Sequence, residues 1–198
     1  MIPINELYDK ILSSMGSFFR DTPKGLAEEN LQARIRGNIL MAVSNKIGAL
    51  VLNTGNKTEL ALGYCTMYGD MCGALGVISD INKLEVYELS KWINKTNSRV
   101  IIPENVINKK PSAELKADQK DTDSLPSYDL LDPILEAFIE RDYSVDQITE
   151  LGYERKTVGR ILGLVKRNEY KRRQAPPGVR VSGRAFGRDW RYPITSGY

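Results

Sequence analysis

The sequence predicts an α/β protein, helix-rich and layered, whose strands run parallel. Two observations carry this. The first is a short unbroken apolar run, Ala49 to Leu52, with the character of a strand buried on both faces. It ends in Asn53, Thr54, Gly55 and Asn56, which are small turn-forming residues; behind Glu59, Leu60, Ala61 and Tyr64 recur at helical spacing. The second is that amphipathic helical spacing fills much of the rest of the chain. Strand, polar loop and helix start is the arrangement in which α/β proteins hold polar ligands, at the carboxyl end of a strand. The same residues also describe a plain turn that caps the next helix, and the spacing leaves both readings open.

In chain order, Leu7, Tyr8, Ile11, Leu12, Met15 and Phe19 predict an amphipathic helix over residues 5–19, broken by Arg20-Asp-Thr-Pro-Lys-Gly25. A second helix over about 27–46 carries the stripe Leu31, Ile35, Ile39, Val43 and Ile47, with Asn30, Arg34 and Asn38 aligned on another face. That polar row is either a solvated face or a row aimed at a ligand. Gly73 to Ile78 is small and apolar, as in a tight buried crossing. Asp80 reads as the N-cap of a helix carrying Val86, Leu89, Trp92 and Ile93. Lys83 falls in the first turn of that helix, the wrong end for a cation, so it is either incidental or held by an anion. Val100 to Pro103 has the composition of a short strand. Residues 108–126, polar and broken by Pro111 and Pro126, predict a long loop of functional type. Helices follow over about 127–142, 144–151 and 154–170, and an irregular Arg/Gly/Pro-rich segment, 171–198, ends the chain.

At 198 residues there is enough chain for one domain with a sizeable core, and 41% hydrophobic with 27% charged residues is an ordinary soluble composition. No apolar run approaches the roughly 20 residues that span a bilayer. No basic leader is visible, and Cys65 and Cys72 form no Cys-x-x-Cys motif, so a cytoplasmic setting without membrane is expected. Histidine is absent, which removes imidazole acid–base chemistry, Ser-His-Asp triads and His-ligated metals. What remains favours phosphoryl or nucleotidyl transfer, where positioning and charge stabilisation do most of the work. Charge is segregated: residues 112–150 hold eleven acids against three bases, and 166–198 nine bases against two acids.

Several stretches together resemble the synthetase domain of the glutamine-dependent NAD synthetase family. They are Glu29-Asn-Leu-Gln-Ala-Arg-Ile-Arg-Gly-Asn38, Leu52-Asn-Thr-Gly-Asn-Lys-Thr-Glu59, Gly63-Tyr-Cys-Thr-Met-Tyr-Gly-Asp-Met71, Glu114 to Pro126 with Tyr128-Asp129, Tyr170-Lys-Arg-Arg-Gln174, and Ser182 to Thr195. The resemblance covers most of the chain beyond about residue 20. It implies a Rossmann-like parallel sheet of the adenine nucleotide α-hydrolase type, with helices on both faces. It also implies ATP-dependent adenylation of deamido-NAD, then displacement of AMP by ammonia to give NAD, with Mg²⁺ at the site. Asn30, Arg34, Glu59, Tyr64, Cys65, Thr66, Met67 and Lys171 then match deamido-NAD contacts. Thr54, Lys83 and Ser112 match the ATP side, and Glu59 also matches a metal contact. Asp121, in what resembles a mobile active-site loop over 108–126, would act with Lys83 in catalysis, and 171–198 would close the site.

The family's pyrophosphate loop, Ser-Gly-Gly-x-Asp-Ser, is not found in these residues, nor is the amidase domain that supplies ammonia from glutamine. The expectation is a fold incomplete at its N-terminal side, inactive alone, from a parent that is a homo-oligomer. Ser112 stands where the family often has Thr, Ala117 where it often has Pro, and Ala74 where it often has Gly or an acid. The competing class is nucleic-acid binding. Residues 144–173 have the pattern of a helix-turn-helix with Arg155, Lys156 and Arg160 on its second helix and a basic tail beyond.

Overall fold

The computed structural model describes residues 1–97, 99–116 and 118–195, so Ser98, Ala117 and the last three residues lie outside the description. The first predicted helix is realised as two, α1 (Asn5–Ser14) and α2 (Gly16–Phe19), because the chain breaks at Met15 before a glycine. Helix α3 (Leu26–Ile47) runs as predicted and stops at Gly48 in the left-handed region. Its apolar stripe is only partly used. Ala33, Ile35 and Gly37 are buried, whereas Leu40, Met41, Val43 and Ile47 are exposed.

The strand forms three residues later than expected. β1 is Leu52–Asn53, and Leu50 and Leu52 are exposed rather than buried on both faces. An apolar run is buried on both faces only where layers cover both, and here the outer side of β1 is bare. Helix α4 (Lys57–Leu62) follows, then β2 (Leu75–Gly76), which pairs with β1 in parallel, Leu52 opposite Leu75 and Asn53 opposite Gly76. A lone bridge from Gly76 to Gly178 covers the far side of β2. Helices α5 (Lys83–Thr96) and α6 (Glu104–Asn108) come next. Val100 to Pro103 is not a strand. Its backbone is instead tied by Asn94, whose Oδ1 accepts from the amides of Ile101 at 2.8 Å and Ile102 at 2.9 Å. A 3-10 turn at Asp121–Asp123 sits within the predicted long loop.

The core is built by the C-terminal helices α7 (Tyr128–Ile139), α8 (Val145–Glu150) and α9 (Arg155–Arg167), packed against α4. Leu131, Ile134, Leu135, Ile139, Ile148, Val158, Ile161 and Val165 are all at most 1% exposed. Burying each such side chain is worth about 1.5–3 kcal/mol, which makes this cluster the main source of stability. The short helix α10 (Glu169–Arg172) closes onto α4.

Helix α4 is held at both ends with unusual completeness for six residues. At its start the Glu59 amide donates to Asn56 Oδ1 at 2.9 Å, and the Lys57 amide to the Ile81 carbonyl at 2.9 Å. Its end is satisfied from α9 and α10. Arg172 donates to the Leu60 and Ala61 carbonyls, Asn168 to Leu62 at 2.9 Å and Lys171 to Gly63 at 2.6 Å. These are the carbonyls that a helix terminus leaves without partners. Lys57 itself is 2% exposed and bonds Asp80, Glu140, the Ser182 hydroxyl and the Arg184 carbonyl.

Asp80 is not the N-cap of α5. Its carboxylate instead accepts from the amides of Val181 and Ser182, both at 2.7 Å, and from the Ser182 hydroxyl at 2.9 Å. Burial pushes the Asp80 carboxyl up, but those donors and Lys57 outweigh it and hold it below its ordinary range. The cap position belongs to Asn82, whose amide donates to Glu85 at 2.8 Å.

A cavity between helix α3 and the start of α5

A cavity of about 600 Å³ opens between α3, the β1–α4 turn, the 64–72 turn, the start of α5 and the loop through Ser112 and Asp121. Seven of the residues singled out in the sequence line it: Thr54, Glu59, Tyr64, Cys65, Lys83, Ser112 and Asp121.

Glu59 occupies the third position of α4, where its Oε2 accepts from the Asn56 amide at 3.3 Å. This is the ordinary capping-box role. Its other oxygen, Oε1, takes the Lys83 ammonium at 2.9 Å, with both side chains about one-fifth exposed. The anion that holds Lys83 at a helix start is therefore Glu59. Burial by itself would lower the Lys83 ammonium, but Glu59 outweighs it and holds it above its ordinary value. Lys83 is fixed from behind as well. Its amide donates to Thr58 Oγ1 at 3.0 Å, Thr58 donates to Asp132 at 2.5 Å, and Asp132 also accepts from the Leu84 amide at 2.8 Å. Asp132 thus reaches the N-terminus of α5 from α7. Burial raises its carboxyl, with Thr58 and Leu84 opposing.

Asp121 is 4% exposed. One oxygen accepts from the Tyr128 hydroxyl at 2.6 Å, while Oδ1 has no partner. The Lys83 ammonium lies 5.5 Å from the centre of the Tyr128 ring. Burial, then Asp121, pushes the Tyr64 phenol up to about 12 and raises that of Tyr128 as well. Burial pushes the Cys65 thiol up to about 12, against the pull of Lys171.

The other predicted residues gather beside the cavity, on the turn that forms its floor. Thr66 donates to Asn30 at 2.8 Å, Arg34 donates to the Met67 carbonyl at 3.2 Å, and Lys171 donates to the carbonyls of Gly63 and Cys65 at 2.6 and 2.8 Å. Asn30, Arg34 and Lys171 hold the 63–67 turn without lining the cavity. Gly37 and Gly69 let α3 approach this turn: a Cβ on Gly37 would come within 2.9 Å of the Gly69 carbonyl.

Sequence reasoning missed Tyr128 and Asp132 as parts of the site. Asp132 did leave a trace, as a lone acid inside the apolar stripe of α7. Asp70, on the cavity wall, accepts from the Thr66 amide at 2.7 Å.

A model of the family described as NAD synthase matches residues 2–175. The chain belongs to the NAD synthase family. The glutamine-dependent NAD(+) synthetase of Synechocystis sp. is 54% identical over 196 residues, a match spanning 99% of this chain and 34% of that protein. The chain thus spans about a third of the length of such relatives. A solved glutamine-dependent NAD+ synthetase from Acinetobacter baumannii, in complex with ADP, is 45% identical. It overlays 96% of this chain and 34% of its own, with a TM-score of 0.53. A synthetase from Cytophaga hutchinsonii shares the fold at a TM-score of 0.76 and 22% identity, over 96% of this chain and 33% of its own. The NAD synthase fold is Rossmann-like, of the adenine nucleotide α-hydrolase type, and the two parallel strands here are part of it.

Nothing supports the nucleic-acid reading. The α8–α9 pair buries Ile148, Val158 and Ile161 in the core, while Arg155 pairs with Asp146 and Arg160 donates to the Ser124 carbonyl. Among the described residues no helix is long and apolar enough to cross a membrane.

Proposed function

We propose that this chain carries much of the synthetase site of a longer protein that makes NAD from deamido-NAD. ATP adenylates the nicotinate carboxylate, pyrophosphate leaves, and ammonia displaces AMP. The ammonia comes from glutamine through an amidase domain of the longer protein. The observation that carries this reading is the Lys83–Glu59 pair, set in one cavity with the bare oxygen of Asp121.

The chemistry brings two polyanions together, so the site needs fixed positive charge at the phosphates and room for a hard cation. Lys83, at the amino end of α5, meets the first need, and Thr54 and Ser112, which line the same cavity, would join it in holding ATP. Mg²⁺ keeps several waters and takes one or two carboxylates beside substrate phosphates. Glu59 and the orphaned Asp121 Oδ1 fit such an ion, which when bound would neutralise charge on the phosphates. Lys83 and Glu59 hold each other's places. An arriving phosphate competes for the ammonium and frees Glu59 Oε1.

Deamido-NAD would lie along the 63–67 turn, where Asn30, Arg34, Tyr64, Cys65, Thr66, Met67 and Lys171 converge. The 108–126 loop, with Asp121, would move over the site, and the basic segment 171–198 would close it. The parent protein is taken to be a cytoplasmic homo-oligomer.

Glu59→Gln and Lys83→Met in the longer protein test the reading. Glu59→Gln is expected to cut adenylation at least tenfold and to recover partly as Mg²⁺ is raised. Lys83→Met is expected to lose as much and not recover. Near-normal steady-state rates in both would reduce Glu59 to a plain helix cap.

A further inference from the structure

We infer that Tyr128 is a positioning residue for Asp121. Its hydroxyl engages one carboxylate oxygen, so that the other is held bare at the cavity wall to accept from a hydrogen-bond donor or a hard cation on the ligand. This rests on the nucleotide reading above and extends it to a residue that touches no ligand itself.

The geometry makes the case. Asp121 belongs to a short 3-10 turn inside a long loop, which by itself gives poor control over where a carboxylate points. Tyr128 is the first residue of α7, 7% exposed, and sits on the same helix as the most deeply buried part of the core. It lends that rigidity to the loop through the 2.6 Å bond to Asp121 Oδ2. Loop bonds alone do not aim the side chain. The Asp121 amide donates to the Pro111 carbonyl at 3.0 Å, and its carbonyl accepts from Leu125 at 2.9 Å, both through the backbone. The result is a carboxylate 4% exposed that lines the cavity, with Oδ2 bonded by Tyr128, Oδ1 without a hydrogen bond, and the Tyr64 phenol close beside the group.

Buried polar atoms without partners are rare because they forfeit hydration with no return, and a site that a ligand completes is a place to expect them. The same tyrosine ring lies under the Lys83 ammonium, 5.5 Å from its centre. One side chain therefore touches both the acid and the cation that the cavity presents.

The test uses the longer protein with Tyr128→Phe, Asp121→Asn and the double variant. Tyr128→Phe keeps the ring and removes only the hydroxyl; circular dichroism checks that each variant folds. Tryptic cleavage at Lys116 and Lys120 is expected to speed up about tenfold in Tyr128→Phe, with little further gain in the double variant. Additive effects on cleavage would break the link between the two residues.

Calorimetric titration with ATP, with and without Mg²⁺, reads the bare oxygen. A loss of about tenfold in affinity confined to MgATP assigns it to the cation, and an equal loss with metal-free ATP assigns it to a donor on the nucleotide. Faster cleavage with unchanged affinity in both arms would overturn the positioning role and leave only a loop staple. A wild-type longer protein that takes up no nucleotide would count against the nucleotide reading instead, and the cleavage cycle would still decide the coupling.

Discussion

Lys57→Met tests the claim that the C-terminal segment is fastened by a buried charge. The Lys57 ammonium has four partners: Asp80 at 3.1 Å, Glu140 at 2.9 Å, Ser182 Oγ at 2.6 Å and the Arg184 carbonyl at 2.9 Å. Breaking a buried ion pair by removing one member costs about 3–5 kcal/mol, because the other charge stays buried. Two features pull the value to the lower end. Asp80 keeps its two amide donors and the Ser182 hydroxyl, and Glu140, 24% exposed, can be rehydrated. Methionine also fills most of the aliphatic volume. The expected loss is about 3 kcal/mol, a large part of the ~5–15 kcal/mol that holds a typical domain folded.

In urea unfolding, with a slope of about 2 kcal/mol per molar, the midpoint should fall by about 1.5 M with the slope unchanged. Asp80 adds a pH signature. Its folded carboxyl lies below the ordinary value of 3.8, so its contribution is complete above that pH and is lost as pH falls through the lower folded value. Without Lys57 the acid loss below pH 3.8 should be shallower. A midpoint shift under about 0.3 M would refute the reasoning, since the four bonds would then be worth no more than an exposed pair.

Three further outcomes are expected. Asp132→Ala strips the Thr58 hydroxyl and the Leu84 amide of their acceptor and should cost about 2 kcal/mol in thermal or urea unfolding, with unchanged stability as the contrary result. Cys65, its thiol pushed up to about 12 by burial, should react with iodoacetamide at pH 8 at least about a hundredfold more slowly than free cysteine; mass spectrometry reads the rate, and parity would contradict the stated burial. The 198 residues alone should show no NAD formation from deamido-NAD, ATP and ammonia, and turnover near that of a full-length relative would show that the missing phosphate contacts are dispensable.

What the sequence could show was local. The extents of α3 and α7–α9 follow from periodicity and stop signals, whereas the adjacent strand, polar turn and helix start fit a ligand site or a plain cap equally, and only the family resemblance favours the site. Lys83 was visible as an oddity, a cation at the positive end of a helix, and the structure supplies the anion in Glu59. Long-range pairing was not legible. Asp80 looks like a cap in sequence, yet its acceptors serve the backbone at Val181 and Ser182. Val100 to Pro103 has strand composition, but with no neighbouring strand its polar groups went to Asn94. The stripe on α3 gave the direction of its apolar face without saying how much of it the chain covers. Asp121 was placed in the loop from resemblance, and its partner Tyr128 could be identified only in three dimensions.

The two walls of the cavity are of different kinds. One is α4 with the first turn of α5, backed by the core and closed at both ends by hydrogen bonds. The other is α3, which contributes nothing to that core cluster. It is held to the cavity floor and loop by the Asn30–Thr66, Arg34–Met67 and Gln32–Leu115 bonds. Amide exchange should register this as two levels of protection: α4 and α7 opening only with global unfolding, and α3 through smaller excursions. A ligand spanning both walls would spend part of its binding energy on quieting α3. Its affinity would then be lower than its contacts suggest, and its thermodynamic signature would include an ordering entropy that a single rigid pocket lacks.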